Sequence, residues 1–201
     1  MTMGPIVALL LAAGRGSRFD PTGAQLKLLQ ETGGRSLAEN AALNLRAAGM
    51  EVIAIVRPAD TPDQHKLHGL LARAGCMIVV NPRASEGIGA SLALGARHVR
   101  EAAGCIVALA DEPAVLPATI IAIADALRAG HLTVAPTCQG RRGHPVGFAR
   151  SLFGELEALS GDIGARDVLQ RHPPLLIDVD DPGIHYDIDT PDDLGRRPAG
   201  R

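Results

Sequence analysis

The chain has 201 residues, 46% of them apolar and 21% charged, and a formal net charge of −2. This balance excludes intrinsic disorder and leaves enough chain for one domain with a sizeable core. Scattered charges of both signs and an aromatic content of 2% exclude an extended nucleic-acid face and a base-stacking platform.

Short β-rich runs alternate with longer amphipathic ones. Ile6–Ala12 reads as a buried strand. No Lys or Arg precedes it and a basic loop follows at once, which argues against a secretory signal. Ser36–Ala48 reads as a helix, with Ser36 and Glu39 as a capping box and Gly49 closing it. Strands at Val52–Val56, Met77–Val80, Cys105–Ala110 and Leu132–Ala135 then alternate with helices at Asp63–Ala74, Gly87–Ala102 and Pro117–Ala129. The remainder reads as an extended GHPVGF, helices at Ser151–Leu159 and Asp162–His172, and a strand at Leu175–Val179. Such repeats imply right-handed crossovers and a three-layer α/β domain, with a mostly parallel sheet, over residues 1–194. GRRPAGR at 195–201 reads as a frayed tail. No apolar run approaches the roughly 20 residues that span a bilayer. Cys76, Cys105 and Cys138 form no CxxC pair and read as small core hydrophobes of a reducing compartment. A cytoplasmic protein without membrane or nucleic-acid partners is expected.

In parallel sheets ligands bind beyond the carboxyl ends of the strands, so the loops there carry the information. Gly14-Arg15-Gly16-Ser17-Arg18 follows the first strand. Phe19 stands where a dinucleotide fingerprint needs its third glycine, and no Gly-Lys-Ser/Thr completes a P-loop. What remains is a loop whose Arg15, Arg18 and Lys27 can neutralise phosphate charge, or else a plain turn with solvated arginines. Lys27 stands out because the chain has 18 Arg and two Lys, and an ammonium is not equivalent to a guanidinium at a phosphate. Asp111, ending a buried strand ahead of Glu112-Pro113, is either a hard-oxygen ligand for Mg²⁺ or a cap for the next turn. Glu112 is either a second ligand or solvent-facing. Asp187 and Asp189 alternate with Tyr186 and Ile188, which puts both carboxylates on one face of a strand, at a metal or at a solvated edge. Thr190-Pro191-Asp192-Asp193 is a helix start. Pro145 holds His144 extended, and Asp162 either caps a helix with Arg166 as its ion-pair partner or belongs to a site. His65 and His68 share a surface helix without a third ligand.

Taken in order, LAAGRGSRF, Lys27, EGIGASL, LADEP, RGHPVGF, SGDIGARDVL and DIDTPDDL resemble the molybdenum cofactor nucleotidyltransferase family, especially its cytidylyltransferase branch. The resemblance covers nearly the whole chain and implies a Rossmann-like nucleotidyltransferase fold. It implies transfer of a nucleoside monophosphate from an NTP to the terminal phosphate of molybdopterin, with pyrophosphate released. The nucleotide would lie on Ala12, Ala13, Gly14, Arg15, Gly16 and Ser17, with Arg18, Lys27 and Asp111 as catalytic residues and Ser91 at the base. Asp111 and Asp187 would bind Mg²⁺, and His144, Pro145, Asp162 and Arg166 would form the acceptor side. The Ala-Ala-Gly sequence, where guanylyl-transferring relatives have Ala-Gly-Gly, tilts the nucleotide towards CTP, and a molybdenum hydroxylase is the implied recipient of the product. The chain departs from the family pattern in a longer stretch from Phe19 to Lys27, in Glu112 where Gln or Met is common, and in lacking an aromatic partner for a pterin. Other readings are a different NTP, a sugar or polyol phosphate acceptor, or a non-catalytic cofactor carrier.

Overall fold

All seven residues of β1 (Ile6–Ala12) are buried, so this strand needs partners on both edges and cover on both faces. A computed structural model, which describes residues 4–22 and 25–195, supplies both. After β1 come a small hairpin, β2 (Glu31–Thr32) and β3 (Arg35–Ser36), and then α1 (Leu37–Ala47). The alternation continues through β4 (Glu51–Val56), α2 (Pro62–Arg73), β5 (Cys76–Val80), α3 (Ile88–His98), β6 (Gly104–Leu109), α4 (Pro117–Arg128) and β7 (Thr133–Cys138). β8 (Arg141–Arg142), β9 (Val146–Ala149), α5 (Phe153–Glu157), α6 (Arg166–Arg171) and β10 (Leu175–Asp178) complete it.

The sheet order is β10-β7-β9-β6-β1-β4-β5, with β8 paired to β7. β1 runs parallel to β4 and β6, and β9 lies antiparallel between β6 and β7. Ala8, Leu10 and Ala12 of β1 face a core closed by α1, α2 and α4. Val7, Leu9 and Leu11 face the opposite core, closed by α3, α5 and α6. The result is the three-layer Rossmann-like arrangement expected, with a mostly parallel sheet.

The differences lie at element ends. The Ser36 hydroxyl accepts the Glu39 N–H at 3.2 Å and caps α1. The expected helix at 162–172 shrinks to Arg166–Arg171, because Gly161 and Gly164 both take left-handed φ and turn the chain first. β7 runs through Pro136 to Cys138, a proline at which the sequence reading stopped it. The 186–189 stretch, expected as a strand, is irregular and pairs with no strand among the described residues, and Pro191–Gly195 forms a 3-10 turn. The three cysteines are free and buried, and burial pushes the Cys76 thiol up to about 11. Residues 196–201 of the expected tail lie outside the described residues. No helix among the described residues is long and apolar enough to cross a membrane.

Candidate active site

β1, β4 and β6 are parallel and in register, so the loops that follow them open on one edge of the sheet. Beyond β1 the chain turns sharply, with the Gly16 carbonyl accepting the N–H groups of Phe19 at 2.9 Å and Asp20 at 3.0 Å. Phe19 is buried against Leu37 and Ile188, which pins the far side of the turn. The Asp20 carboxylate accepts the N–H groups of Thr22 at 2.8 Å and Gln25 at 2.7 Å and so folds the loop back on itself. Gly16 has φ +65°, and a Cβ there would sit 3.0 Å from Lys27 Cβ, so the loop closes tightly over that lysine.

Lys27 is 7% exposed, and its ammonium stands among three carboxylates. Nζ lies 2.6 Å from Asp111 Oδ2, 3.3 Å from Asp189 Oδ1 and 3.9 Å from Asp187 Oδ1. Arg18 donates to the other oxygen of Asp189. Burial works against the lysine's charge, but the Asp111 carboxylate, with Asp187 and Asp189, holds its pKa above the ordinary value. Burial, followed by the charge of Asp111, pushes the Asp187 carboxyl up to about 6. One oxygen from each of Asp111, Asp187 and Asp189 lies within 4.8 Å of the others. Three hard-oxygen donors in one cluster suit a divalent cation such as Mg²⁺ or Mn²⁺.

Asp187 and Asp189 reach the end of β6 because their segment is fastened there. The Ile188 N–H donates to the Asp111 carbonyl at 3.2 Å, while Ile188 itself is buried. Further back, buried Asp181 accepts from Leu116 N at 2.8 Å, Thr119 Oγ1 at 2.7 Å and Gly183 N at 3.0 Å. The sequence reading passed over Asp181, although Asp-Pro-Gly is a turn signal that marks it.

The cleft at this edge has a volume of about 540 Å³. Ala13, Gly14, Arg15, Gly16, Ser17, Arg18, Lys27, Ser91, Asp111, Asp162, Asp187 and Asp189 all line it. Ala12 does not; it is buried in the sheet core. Two lining or supporting residues were missed. Arg57, after β4, lines the cleft and donates to the Ala13 carbonyl at 3.1 Å. Asn81 takes the Arg83 N–H on its Oδ1 at 2.9 Å, which orients its amide to donate to Ser91 Oγ at 3.0 Å. The Ser91 hydroxyl, one lone pair engaged, keeps its hydrogen for another acceptor.

A second cavity, of about 650 Å³, adjoins the first and shares Leu11, Ile88, Leu109 and Asp162 with it. Its floor is apolar, including Leu92, Val107, Val146 and Phe148, and Arg142, His144, Arg166 and Gln170 supply its polar groups. Gly87 makes the shared wall possible. It caps α3 at φ +118°, and a Cβ there would lie 2.3 Å from Asp162 Oδ1. Among the described residues no ion pair joins Asp162 to Arg166. Pro145 lines neither cavity and packs behind, next to Glu112. Glu112 takes up neither of its expected places. It is buried, with Oε1 3.0 Å from His144 Nδ1. Burial raises the Glu112 carboxyl, and it opposes the imidazolium of His144, whose pKa the glutamate nevertheless holds above the usual value. His65 is exposed, and His68 bonds the Arg57 carbonyl at 2.8 Å.

A mostly parallel three-layer sheet with a glycine-rich cationic loop and an acidic cluster at its carboxyl edge is the architecture of Rossmann-like nucleotidyltransferases. The family model described as the MobA-like NTP transferase domain matches residues 8–175, and the chain belongs to that family. Nicotine blue oxidoreductase of Paenarthrobacter nicotinovorans is 32% identical over 203 residues, covering 95% of each chain. The crystal structure of Rv0371c from Mycobacterium tuberculosis H37Rv is 31% identical, covers 96% of each chain and superposes with a TM-score of 0.79. Its complex with manganese is 27% identical, covers 98% of this chain and 100% of that one, and has a TM-score of 0.76.

Proposed function

We propose that this protein transfers CMP from Mg·CTP to the terminal phosphate of molybdopterin and releases pyrophosphate. The observation that carries the reading is the meeting of Lys27 and Asp111, 84 residues apart in sequence and 2.6 Å apart in space, inside a cleft fringed by arginines. The loop at 14–18 and Arg15 hold the triphosphate, and Ser91 donates to the base. Asp111 and Asp187, with Asp189 beside them, would hold Mg²⁺, which would offset phosphate charge. The acceptor lies in the adjoining cavity against His144, Asp162 and Arg166. Its phosphate oxygen attacks the α-phosphorus in line, the bond to the bridging oxygen breaks, and pyrophosphate leaves. Arg18 and Lys27 stabilise the charge that collects on the leaving group. The nucleophile is already an anion, so no general base is required. CTP is favoured by Ala13 at the cleft wall in the Ala-Ala-Gly sequence. The setting we propose is a cytoplasmic enzyme, one transferase domain over 1–194, that passes its product to a molybdenum hydroxylase.

The name of the Paenarthrobacter relative raises a redox reading. A cluster of three carboxylates that suits a divalent cation, beside a glycine-rich loop bearing Arg15 and Arg18, fits a metal-bound polyphosphate, so nucleotidyl transfer is preferred. Pyrophosphate release measured with each NTP, with and without molybdopterin, is the test. Release with CTP plus the pterin alone is expected. Release with sugar or polyol phosphates reassigns the acceptor, and tight pterin binding without release makes the protein a carrier. A folded Asp111→Asn variant should lose roughly a hundredfold or more in turnover. Full turnover of that variant at saturating Mg²⁺ removes Asp111 from the mechanism.

A further inference from the structure

One buried acid has no task in this scheme. Glu112 is 6% exposed and sits among Ala41, Leu45, Val115 and Ile120. A carboxylate in such surroundings is costly without a hydrogen-bonding partner. Among the described residues its hydrogen-bond partner is a ring nitrogen, His144 Nδ1, at 3.0 Å and 32 residues away in sequence. The His144 side chain is 46% exposed and lines the second cavity, as do Arg142 and Arg166. With Nδ1 turned inward to Glu112, the opposite edge of the ring, carrying Nε2, is left for that cavity. A half turn of the ring about χ2 would replace Nε2 by a carbon, and nothing in the ring's shape prevents it. The glutamate distinguishes the two orientations.

We propose that Glu112 is a positioning residue, which locks the His144 ring so that Nε2 is presented to the anionic group of the acceptor in the second cavity. This rests on the assignment of that cavity to the acceptor, made above. Among the described residues the Glu112 carboxylate makes its hydrogen bond with His144 and with no member of the cation cluster, although its charge reaches Asp111 and Asp187. It is therefore the hydrogen bond, kept by Gln and lost in Met, that acts on the acceptor side.

The test uses Glu112→Met, which keeps the volume and removes the acceptor oxygen, and Glu112→Gln, which keeps an oxygen for the Nδ1 hydrogen. In the Met variant the KM for the acceptor should rise roughly tenfold, with the KM for CTP within about a factor of two of the parent. Gln should restore most of the loss. Adding Glu112→Met to His144→Ala should change nothing further, since the two residues act as one unit. Nitrogen NMR of the His144 ring supplies a readout that needs no turnover, and its shifts should move in the Met variant and less in the Gln variant. If the Met variant does not fold, the Gln variant's ring shifts and acceptor KM, both expected to move in the same directions by a smaller step, decide. A rise confined to the KM for CTP, additive effects with His144→Ala, or unmoved ring shifts would each overturn the proposal. If the parent shows no transfer with any acceptor while the ring shifts move, the locking role stands and the acceptor assignment falls.

Discussion

Lys27 stands where a divalent cation would bind. Its ammonium lies within 3.9 Å of an oxygen of each of Asp111, Asp187 and Asp189, the three carboxylates of the cation cluster. It is a counter-ion to all three, so a divalent cation bound by these carboxylates would compete with it. Lys27→Met should therefore tighten Mn²⁺ binding without nucleotide, by about tenfold or more, while abolishing transfer. Calorimetric titration of the free protein reads this directly, and weaker binding in the variant would contradict it. Protons compete at the same place. Burial, then the charge of Asp111, pushes the Asp187 carboxyl up to about 6, so the folded protein keeps its proton to a higher pH than the unfolded chain does. The stability this contributes is complete below about pH 4 and is lost as the pH rises through 6. A bound cation removes that loss, so the rise in melting temperature produced by Mn²⁺ should be larger at pH 7 than at pH 5.

At the scale of elements, the segment from Asp181 to Asp189 behaves as a strap across the carboxyl end of β6. Its buckle is the Asp181 carboxylate, which also satisfies the Leu116 N–H at the start of α4. Asp181→Ala strands three donors and should cost on the order of 2–3 kcal/mol in urea denaturation. It should also weaken Mn²⁺ binding, because Asp187 and Asp189 lie at the free end of the same strap. Much of this layer was legible beforehand. β1, β4 and β6 are apolar runs between amphipathic ones, the signature of buried parallel strands, whereas β5 is equally apolar in sequence but lies at the sheet edge with Met77 and Val80 exposed. The antiparallel insertion of β9 was not legible beyond its extended conformation, since its partners are chosen by register across the sheet. The false length of α6 has a local cause in two glycines whose φ no apolar periodicity reports.

For the molecule as a whole, the site was legible where one residue type sits at a strand end and illegible where two distant side chains complete each other. Lys27, Asp111 and the 14–18 loop were found because topology sends every strand-end loop to one edge. Glu112 with His144 and Asn81 with Ser91 are pairs across the fold, and neither member of a pair announces the other. The β6–β9 ladder has a consequence for how the machine must operate. Val107 and Val146 are register partners, so the turn bearing Asp111 and the residue that carries the imidazole are mounted on adjoining staves of a single rigid frame. On the function proposed above, the spacing between the nucleotide and its acceptor would then be fixed by the backbone hydrogen bonds of that ladder.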